Sequence, residues 1–120
     1  MEDGKTVCIK EKDTEFTFEC VSMGNPHAIT LVNNVEKFDV EKYGPGLETN
    51  KIFPERANIE FVEIVDNKTI KMRVWERGTG ETLACGTGAC ASVIACNIMG
   101  KTQKEVTVKL KRWRIKNLLG

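Results

Sequence analysis

Residues 87–99 form a segment with very few polar side chains, and Gly100 follows it as a typical helix stop. The sequence therefore predicts a helix that is small and apolar nearly all round. Such a helix has to be buried, because a surface helix carries polar residues along one face. The chain has 120 residues, of which 41% are hydrophobic, and is thus long enough to cover this helix within a single domain, residues 1–120.

Strand patterns dominate the rest of the chain. Alternating or β-branched runs predict strands at residues 7–9, 15–20, 28–32, 57–65, 69–77 and 106–110, with a hairpin loop at residues 66–68. A short second helix is expected over residues 39–43, ended by Gly44-Pro45-Gly46. Together these elements predict an α+β fold in which antiparallel strands wrap around the central buried helix.

The cysteine pattern indicates free thiols rather than a disulfide framework or a metal site. The five cysteines are an odd number, and Cys85, Cys90 and Cys96 lack the Cys-x-x-Cys spacing of zinc sites. The polar, acidic start of the chain does not resemble a secretory signal, and no apolar run approaches the roughly 18 residues of a membrane span. We therefore expect a cytoplasmic protein without a metal and without a membrane partner.

The charge of the chain is unevenly distributed. Residues 101–116 carry seven Lys or Arg residues against one acid, Glu105, although the net charge of the chain is only +1. A basic stretch that contains Trp113 is compatible with nucleic-acid binding. No nucleic-acid-binding motif accompanies it, however, so a solvated strand and chain end are the favoured interpretation and no nucleic-acid partner is expected.

Cys85 stands directly before the Gly86-Thr87-Gly88 turn that opens the predicted buried helix. Unpaired amide groups and the positive end of the helix dipole make such a terminus suitable for a carboxylate or a phosphate. The same field lowers the pKa of a thiol and makes it more reactive. Cys85 is therefore a candidate reactive group, with simple packing as the alternative, whereas Cys90 and Cys96 are predicted core residues.

Three further segments place polar groups at strand ends. Glu76 continues the apolar face of its strand, where a carboxylate needs a partner. Pro26 restricts Asn25 to extended backbone just before His27, the only histidine of the chain. Asn58 precedes another strand in the same way. For these residues solvated charge, a structural imidazole and an ordinary turn amide are the alternative interpretations.

Four stretches in this order resemble the C-terminal half of the diaminopimelate epimerase family. They are Gly-Asn-Pro-His (24–27), Phe-Pro-Glu-Arg-Ala-Asn (53–58), Trp-Glu-Arg-Gly-Thr-Gly-Glu-Thr (75–82) and Ala-Cys-Gly-Thr-Gly-Ala-Cys-Ala (84–91). The resemblance covers roughly residues 20–110 and leaves residues 111–120 as a divergent or truncated tail. Related pyridoxal-independent racemases share the cysteine turn, but the Trp-Glu-Arg-Gly and Pro-Glu-Arg-Ala-Asn stretches indicate the epimerase.

The resemblance implies an isomerase that interconverts LL- and meso-diaminopimelate, in lysine and cell-wall precursor biosynthesis, without pyridoxal phosphate, metal or other cofactor. One cysteine thiolate removes the α-proton while a second thiol protonates the opposite face, and Cys85 is implied to be one of the two. His27 and Glu76 are implied to set the protonation of both thiols. The residues implied to bind the substrate's amino and carboxylate groups are Asn25, Asn58, Glu76, Arg77, Gly86 and Thr87.

The second catalytic cysteine of the family has no counterpart in this chain. In the family it lies in an Asn-Gly-x-Arg-Cys segment of the other domain, and here Cys8 and Cys20 occupy strand-like contexts instead. We therefore expect the chain alone to be nearly inactive and to need an N-terminal epimerase domain, or a homologous chain, that carries the second cysteine. An inactive fragment, a split subunit that binds an amino-acid carboxylate, and a related amino-acid racemase are the alternatives.

Overall fold

A computed structural model describes residues 5–82 and 86–110. Its strands are β1 (Lys5–Glu11), β2 (Thr14–Ser22), β3 (Pro26–Leu31), β4 (Asn58–Asp66), β5 (Thr69–Glu76), β6 (Gly80–Thr82) and β7 (Thr107–Lys109). Its helices are α1 (Val40–Glu48) and α2 (Gly86–Ile98). Each predicted strand is present, and β6 is a strand that the sequence patterns did not predict.

The strands form one mixed sheet in the order β1-β2-β3-β4-β5-β6, and β7 pairs with β5. The predicted α+β fold is confirmed, but two pairs are parallel rather than antiparallel, namely β3 with β4 and β5 with β7. A parallel pair needs a long crossover connection, whereas a short hairpin produces an antiparallel one. The connection from β3 to β4 contains α1 and the connection from β5 to β7 contains α2, which explains both exceptions.

The sheet separates two hydrophobic cores. On one face α1 packs over an aromatic cluster in which Phe38 and Phe61 have ring centroids 4.8 Å apart and Phe16 and Tyr43 have theirs 5.2 Å apart. On the other face α2 packs over aliphatic side chains of β2, β3 and β4. Successive residues of a strand point to opposite faces, so β4, which is buried on both faces over its first five residues, supplies both cores.

Helix α1 runs through the three residues that were expected to end it. The Asp39 carboxylate caps the helix by accepting a hydrogen bond from the Lys42 amide at 3.1 Å, and the helix continues past Gly44-Pro45-Gly46 to Glu48. A Cβ atom at Gly44 would overlap the indole ring of Trp75 in β5. The glycine therefore allows close packing of the helix on the sheet, and this packing outweighs the weak helix propensity of the segment.

Helix α2 begins and ends within one residue of its predicted bounds. Gly100, with a φ of 74°, ends it, and the amide of Lys101 donates to the carbonyl of Cys96 at 2.9 Å. The described strands cover only one side of this helix, so Cys96 is buried while Cys90 and Ile98 are exposed. The core prediction is confirmed for Cys96 and wrong for Cys90, and the helix is buried on one face rather than all round.

Replacing Gly44 by alanine is expected to lower the free energy of unfolding by about 1–3 kcal/mol, the usual cost of overpacking a core. The added methyl group meets the indole of Trp75, whose Nε1 donates to Glu48 Oε1 at 2.8 Å and so resists displacement. Gly46→Ala in the same helix is the matched control, because the obstacle there is only the flexible end of Glu11.

Urea unfolding of the two glycine variants, followed by circular dichroism, measures the difference. Both substitutions reduce the conformational freedom of the unfolded chain equally, which favours alanine by roughly 0.4–1 kcal/mol. We therefore expect Gly46→Ala to be neutral or stabilising. Equal stability of the two variants would contradict close packing between α1 and Trp75.

Candidate active site

The sheet face under α2 changes from apolar to polar near the N-terminal end of that helix. The register aligns His27 of β3 with Asn58 of β4, and Glu60 of β4 with Val74 of β5. Residues aligned in this way, and residues two positions further along a strand, share one face of the sheet. A cavity of about 30 Å³ lies there, lined by Asn25, His27, Asn58, Val74, Glu76 and Gly88. It is large enough for a water molecule or one functional group of a ligand.

Four predicted site residues therefore meet at one cavity, although they come from separate parts of the sequence. These residues are Asn25, His27, Asn58 and Glu76. Gly86 and Thr87, also predicted to bind substrate, are the first two residues of α2 and both are exposed. Cys85 lies outside the described residues, so its catalytic role stays a prediction.

His27 is buried, with 1% of its surface exposed, and both ring nitrogens have polar partners. Its Nδ1 lies 2.8 Å from Glu60 Oε1 and its Nε2 lies 3.2 Å from Asn25 Oδ1. Burial, and then the positive charge of Arg77, lower the pKa of His27, while the carboxylate of Glu76 raises it by a smaller amount. The imidazole is thus buried and fixed by its two polar contacts rather than solvated.

Glu60 is the site residue that the sequence analysis missed. Its side chain is fully buried, and its Oε2 has no hydrogen-bond partner within residues 5–82 and 86–110. Burial, and secondarily the negative charge of Glu76, raise the pKa of Glu60 well above its usual range. A glutamate inside the apolar run from Ile59 to Val62 was the available signal, since buried acids are rare unless they are paired.

Asn58 joins the start of β3 to the turn that follows β5. Its Nδ2 donates to the carbonyl of Pro26 at 3.2 Å, and its Oδ1 accepts from the amide of Arg77 at 2.7 Å. The side chain is buried, so these bonds fix the two backbone segments that border the cavity. Its role as a substrate ligand stays a prediction.

The turn after β5 carries Arg77 and is held from both faces of the sheet. On the cavity side, Thr82 donates its hydroxyl hydrogen to Glu76 Oε2 at 2.7 Å. On the α1 side, Glu48 Oε2 accepts from the amide of Gly78 at 3.0 Å, and Gly78 adopts a positive φ of 79° that glycine tolerates. The guanidinium of Arg77 is half-buried and donates to the carbonyl of Glu55 at 3.2 Å.

Comparison with known proteins identifies the family to which this chain is similar. The family model described as diaminopimelate epimerase matches residues 19–116, including all four of the motifs described above. The chain belongs to the diaminopimelate epimerase family. The matched region extends into residues 111–116, which lie outside the described residues, and the resemblance found from the motifs is thereby confirmed.

Three diaminopimelate epimerases illustrate the similarity. The chain is 58% identical over 102 residues to that of Methanococcus maripaludis, which covers 85% of this chain and 37% of the relative. It is 58% identical over 96 residues to that of Acetivibrio thermocellus, covering 80% and 34% respectively. It is 49% identical over 114 residues to that of Bacillus cereus, covering 90% and 40%. The chain thus spans little more than a third of the length of these diaminopimelate epimerases.

Residues 5–82 and 86–110 contain no group of three or more His, Cys, Asp or Glu side chains arranged to hold a metal ion. Of α1 and α2, neither is long and apolar enough to cross a membrane.

Proposed function

We propose that this chain is the half of a diaminopimelate epimerase that carries one of two acid–base thiols, Cys85. In this proposal it interconverts LL- and meso-diaminopimelate only together with the half that carries the second thiol. One observation supports it most directly. Asn25, His27, Asn58 and Glu76 come from three of the family's motifs and line one cavity beside the first turn of α2, which follows Cys85 in the sequence.

In the proposed reaction the substrate's α-carboxylate binds the backbone amides of Gly86 and Thr87, two exposed residues at the α2 N-terminus, where the helix dipole favours an anion. Arg77 and Glu76 supply the charges that complement the carboxylate and ammonium groups of an amino acid. Glu76 lines the cavity at the end of β5, and Arg77 follows it on the turn that Glu48 and Asn58 hold in place.

Proton transfer then inverts the α-carbon. The Cys85 thiolate takes the α-proton, so that a C–H bond breaks and an S–H bond forms. The thiol on the opposite face gives its proton to the carbanion, so that an S–H bond breaks and a C–H bond forms. The α2 dipole and the amide donors stabilise the negative charge of the intermediate. This chemistry uses no pyridoxal phosphate and no metal.

A second reading follows from the length of the chain, which spans 37% of the Methanococcus maripaludis relative. A portion of this size can bind an amino-acid carboxylate without catalysing inversion. A related racemase acting on another amino acid is a further alternative. We place the protein in the cytoplasm, an assignment supported by the four free cysteines among the described residues, Cys8, Cys20, Cys90 and Cys96.

Incubation with LL-diaminopimelate in D₂O tests the proposal. For the chain alone we expect at most slow exchange of the α-proton with configuration retained, because only one face of the α-carbon meets a thiol. Mixed with the part of the Methanococcus maripaludis epimerase that it does not cover, the chain is expected to produce the meso isomer with deuterium at the α-carbon.

The outcomes separate the alternatives. Efficient inversion by the chain alone would contradict the half-site proposal. A mixture that assembles, as judged by size-exclusion chromatography, but shows no inversion would favour the binding fragment. Inversion of alanine or proline in preference to diaminopimelate by the same mixture would indicate a racemase.

A further inference from the structure

Three buried or half-buried side chains form a continuous line under the first turns of α2. Glu60 contacts His27 Nδ1 at 2.8 Å, and His27 Nε2 contacts Asn25 Oδ1 at 3.2 Å. Glu60 also lies beneath Gly88 of α2, where a Cβ atom would come within 3.8 Å of Glu60 Oε2. The line therefore runs from the buried centre of β4 to the wall of the cavity.

The acceptor at the end of this line, Asn25 Oδ1, determines which atoms carry the hydrogens. A carbonyl oxygen such as Asn25 Oδ1 only accepts, so His27 Nε2 carries a hydrogen and donates it. His27 Nδ1 then either accepts from a protonated Glu60 or donates to a Glu60 carboxylate. The two arrangements contain the same number of protons and differ only in where one of them lies along the 2.8 Å contact.

We propose that Glu60 is a positioning residue that shares one proton with His27 and thereby keeps the imidazole Nε2–H directed at Asn25. Because Asn25 Oδ1 accepts the hydrogen bond from His27, the NH₂ group of the Asn25 carboxamide is left to donate to a ligand oxygen. The catalytic consequence rests on the proposed epimerase function, whereas the shared proton is a property of this chain that is measurable by itself.

The charges around Glu60 and His27 favour the state in which the two side chains share one proton over the states with two protons or with none. Glu76 of β5 lines the same cavity and Arg77 lies on the turn after it, so the pair faces one charge of each sign. Glu60 itself comes from β4, Asn25 is uncharged, and Gly88 of α2 has no side chain. Cys85 lies outside the described residues. Burial disfavours a lone carboxylate and a lone imidazolium alike.

Nuclear magnetic resonance of the ¹⁵N-labelled chain tests the shared proton. His27 is the only histidine, so its two ring nitrogens give the only imidazole signals of the protein. We expect these signals to change in two steps, one below and one above the value of about 6.5 for an isolated histidine, because the buried pair binds a second proton weakly whereas the shared proton is held by both groups. In Glu60→Gln, which preserves shape but cannot ionise, we expect only the step below about 6.5 to remain, since burial and Arg77 together outweigh the opposing effect of Glu76.

Glu19→Gln is the matched control for this measurement. Glu19 is also buried, with 5% of its surface exposed, and its Oε2 has no partner within the described ranges. Its register partner in β3 is Ile29, two residues from His27, so it shares the sheet face without contacting the imidazole. We expect its substitution to leave the His27 titration unchanged.

Each outcome either supports or overturns the proposal. A single step below about 6.5 in the unsubstituted chain, with no change of the imidazole signals at higher pH, would overturn it even if Glu60→Gln failed to fold. Identical titrations of the unsubstituted chain and Glu60→Gln, or loss of the upper step in Glu19→Gln as well as in Glu60→Gln, would also overturn it. In the assembled two-part enzyme, Glu60→Gln is expected to raise KM, because the Asn25 carboxamide is no longer oriented for the ligand, and to displace the pH profile of kcat. Failure of the two parts to assemble would count against the proposed function alone, because the titration needs only this chain.

Discussion

Replacing Cys85 by serine is expected to reduce the rate of α-proton exchange in the assembled two-part enzyme by about 10²–10⁴-fold, the range for loss of a general acid–base group. Cys85 directly precedes Gly86, the first residue of α2, and the field of a helix N-terminus stabilises a thiolate. A serine hydroxyl is a far weaker acid than a thiol, so it does not supply the anion that removes the proton.

Cys90→Ser provides the matched control for this loss. Cys90 lies five residues further along the chain, in the same helix, and is exposed. Its substitution is expected to leave the exchange rate unchanged, because α2 turns it away from the sheet and the cavity. Deuterium incorporation into diaminopimelate, followed by mass spectrometry, measures both variants. Equal losses in the two variants, or full activity of Cys85→Ser, would contradict the assignment of Cys85 as an acid–base group.

Replacing Arg73 by alanine is expected to lower the free energy of unfolding by about 3–5 kcal/mol, the usual cost of breaking a buried ion pair from one side. The guanidinium binds Glu81 through two parallel hydrogen bonds of 2.8 Å, and the two side chains are only 10% and 9% exposed. Arg73 also donates to the carbonyl of Phe38 at 2.7 Å. Alanine therefore removes both guanidinium hydrogen bonds from the buried Glu81 carboxylate and one of the two donors of the Phe38 carbonyl, which also accepts from the amide of Val40 at 3.0 Å.

Lys71→Ala tests whether burial causes this effect. Lys71 lies two residues earlier on β5 and pairs with Glu36 at 3.1 Å, but the two side chains are 32% and 65% exposed. Solvent screens such a pair, so we expect a loss of about 1 kcal/mol or less. Urea unfolding measures both variants. Similar losses would refute the buried-pair argument, and the double variant Arg73→Met with Glu81→Leu is expected to recover part of the stability lost in Arg73→Ala.

Local sequence signals predicted the elements whose boundaries depend on nearby residues. Gly100 defined the end of α2 because it adopts the left-handed backbone conformation that favours glycine. The β-branched and alternating runs defined six of the strands. The two parallel pairs were not predicted, since strand direction depends on where α1 and α2 cross the sheet and no local pattern records that.

The sequence did not predict the features that depend on tertiary packing. The continuation of α1 through Gly44-Pro45-Gly46 depends on Trp75, a residue of β5 that lies far away in sequence. The exposure of Cys90 depends on which side of α2 the sheet covers. The motifs named Asn25 and His27 as site residues but not Glu60, because its contact with His27 arises only when β3 and β4 align in parallel.

Glu48 couples the two faces of the sheet. One of its carboxylate oxygens accepts from the indole of Trp75 in the aromatic core, and the other accepts from the amide of Gly78 in the turn that carries Arg77. The carboxylate of Glu48 thus links the turn that carries Arg77 to the position of α1 on the sheet. We therefore expect a substitution that displaces α1 to move the turn that carries Arg77, although α1 and the cavity lie on opposite faces of the sheet.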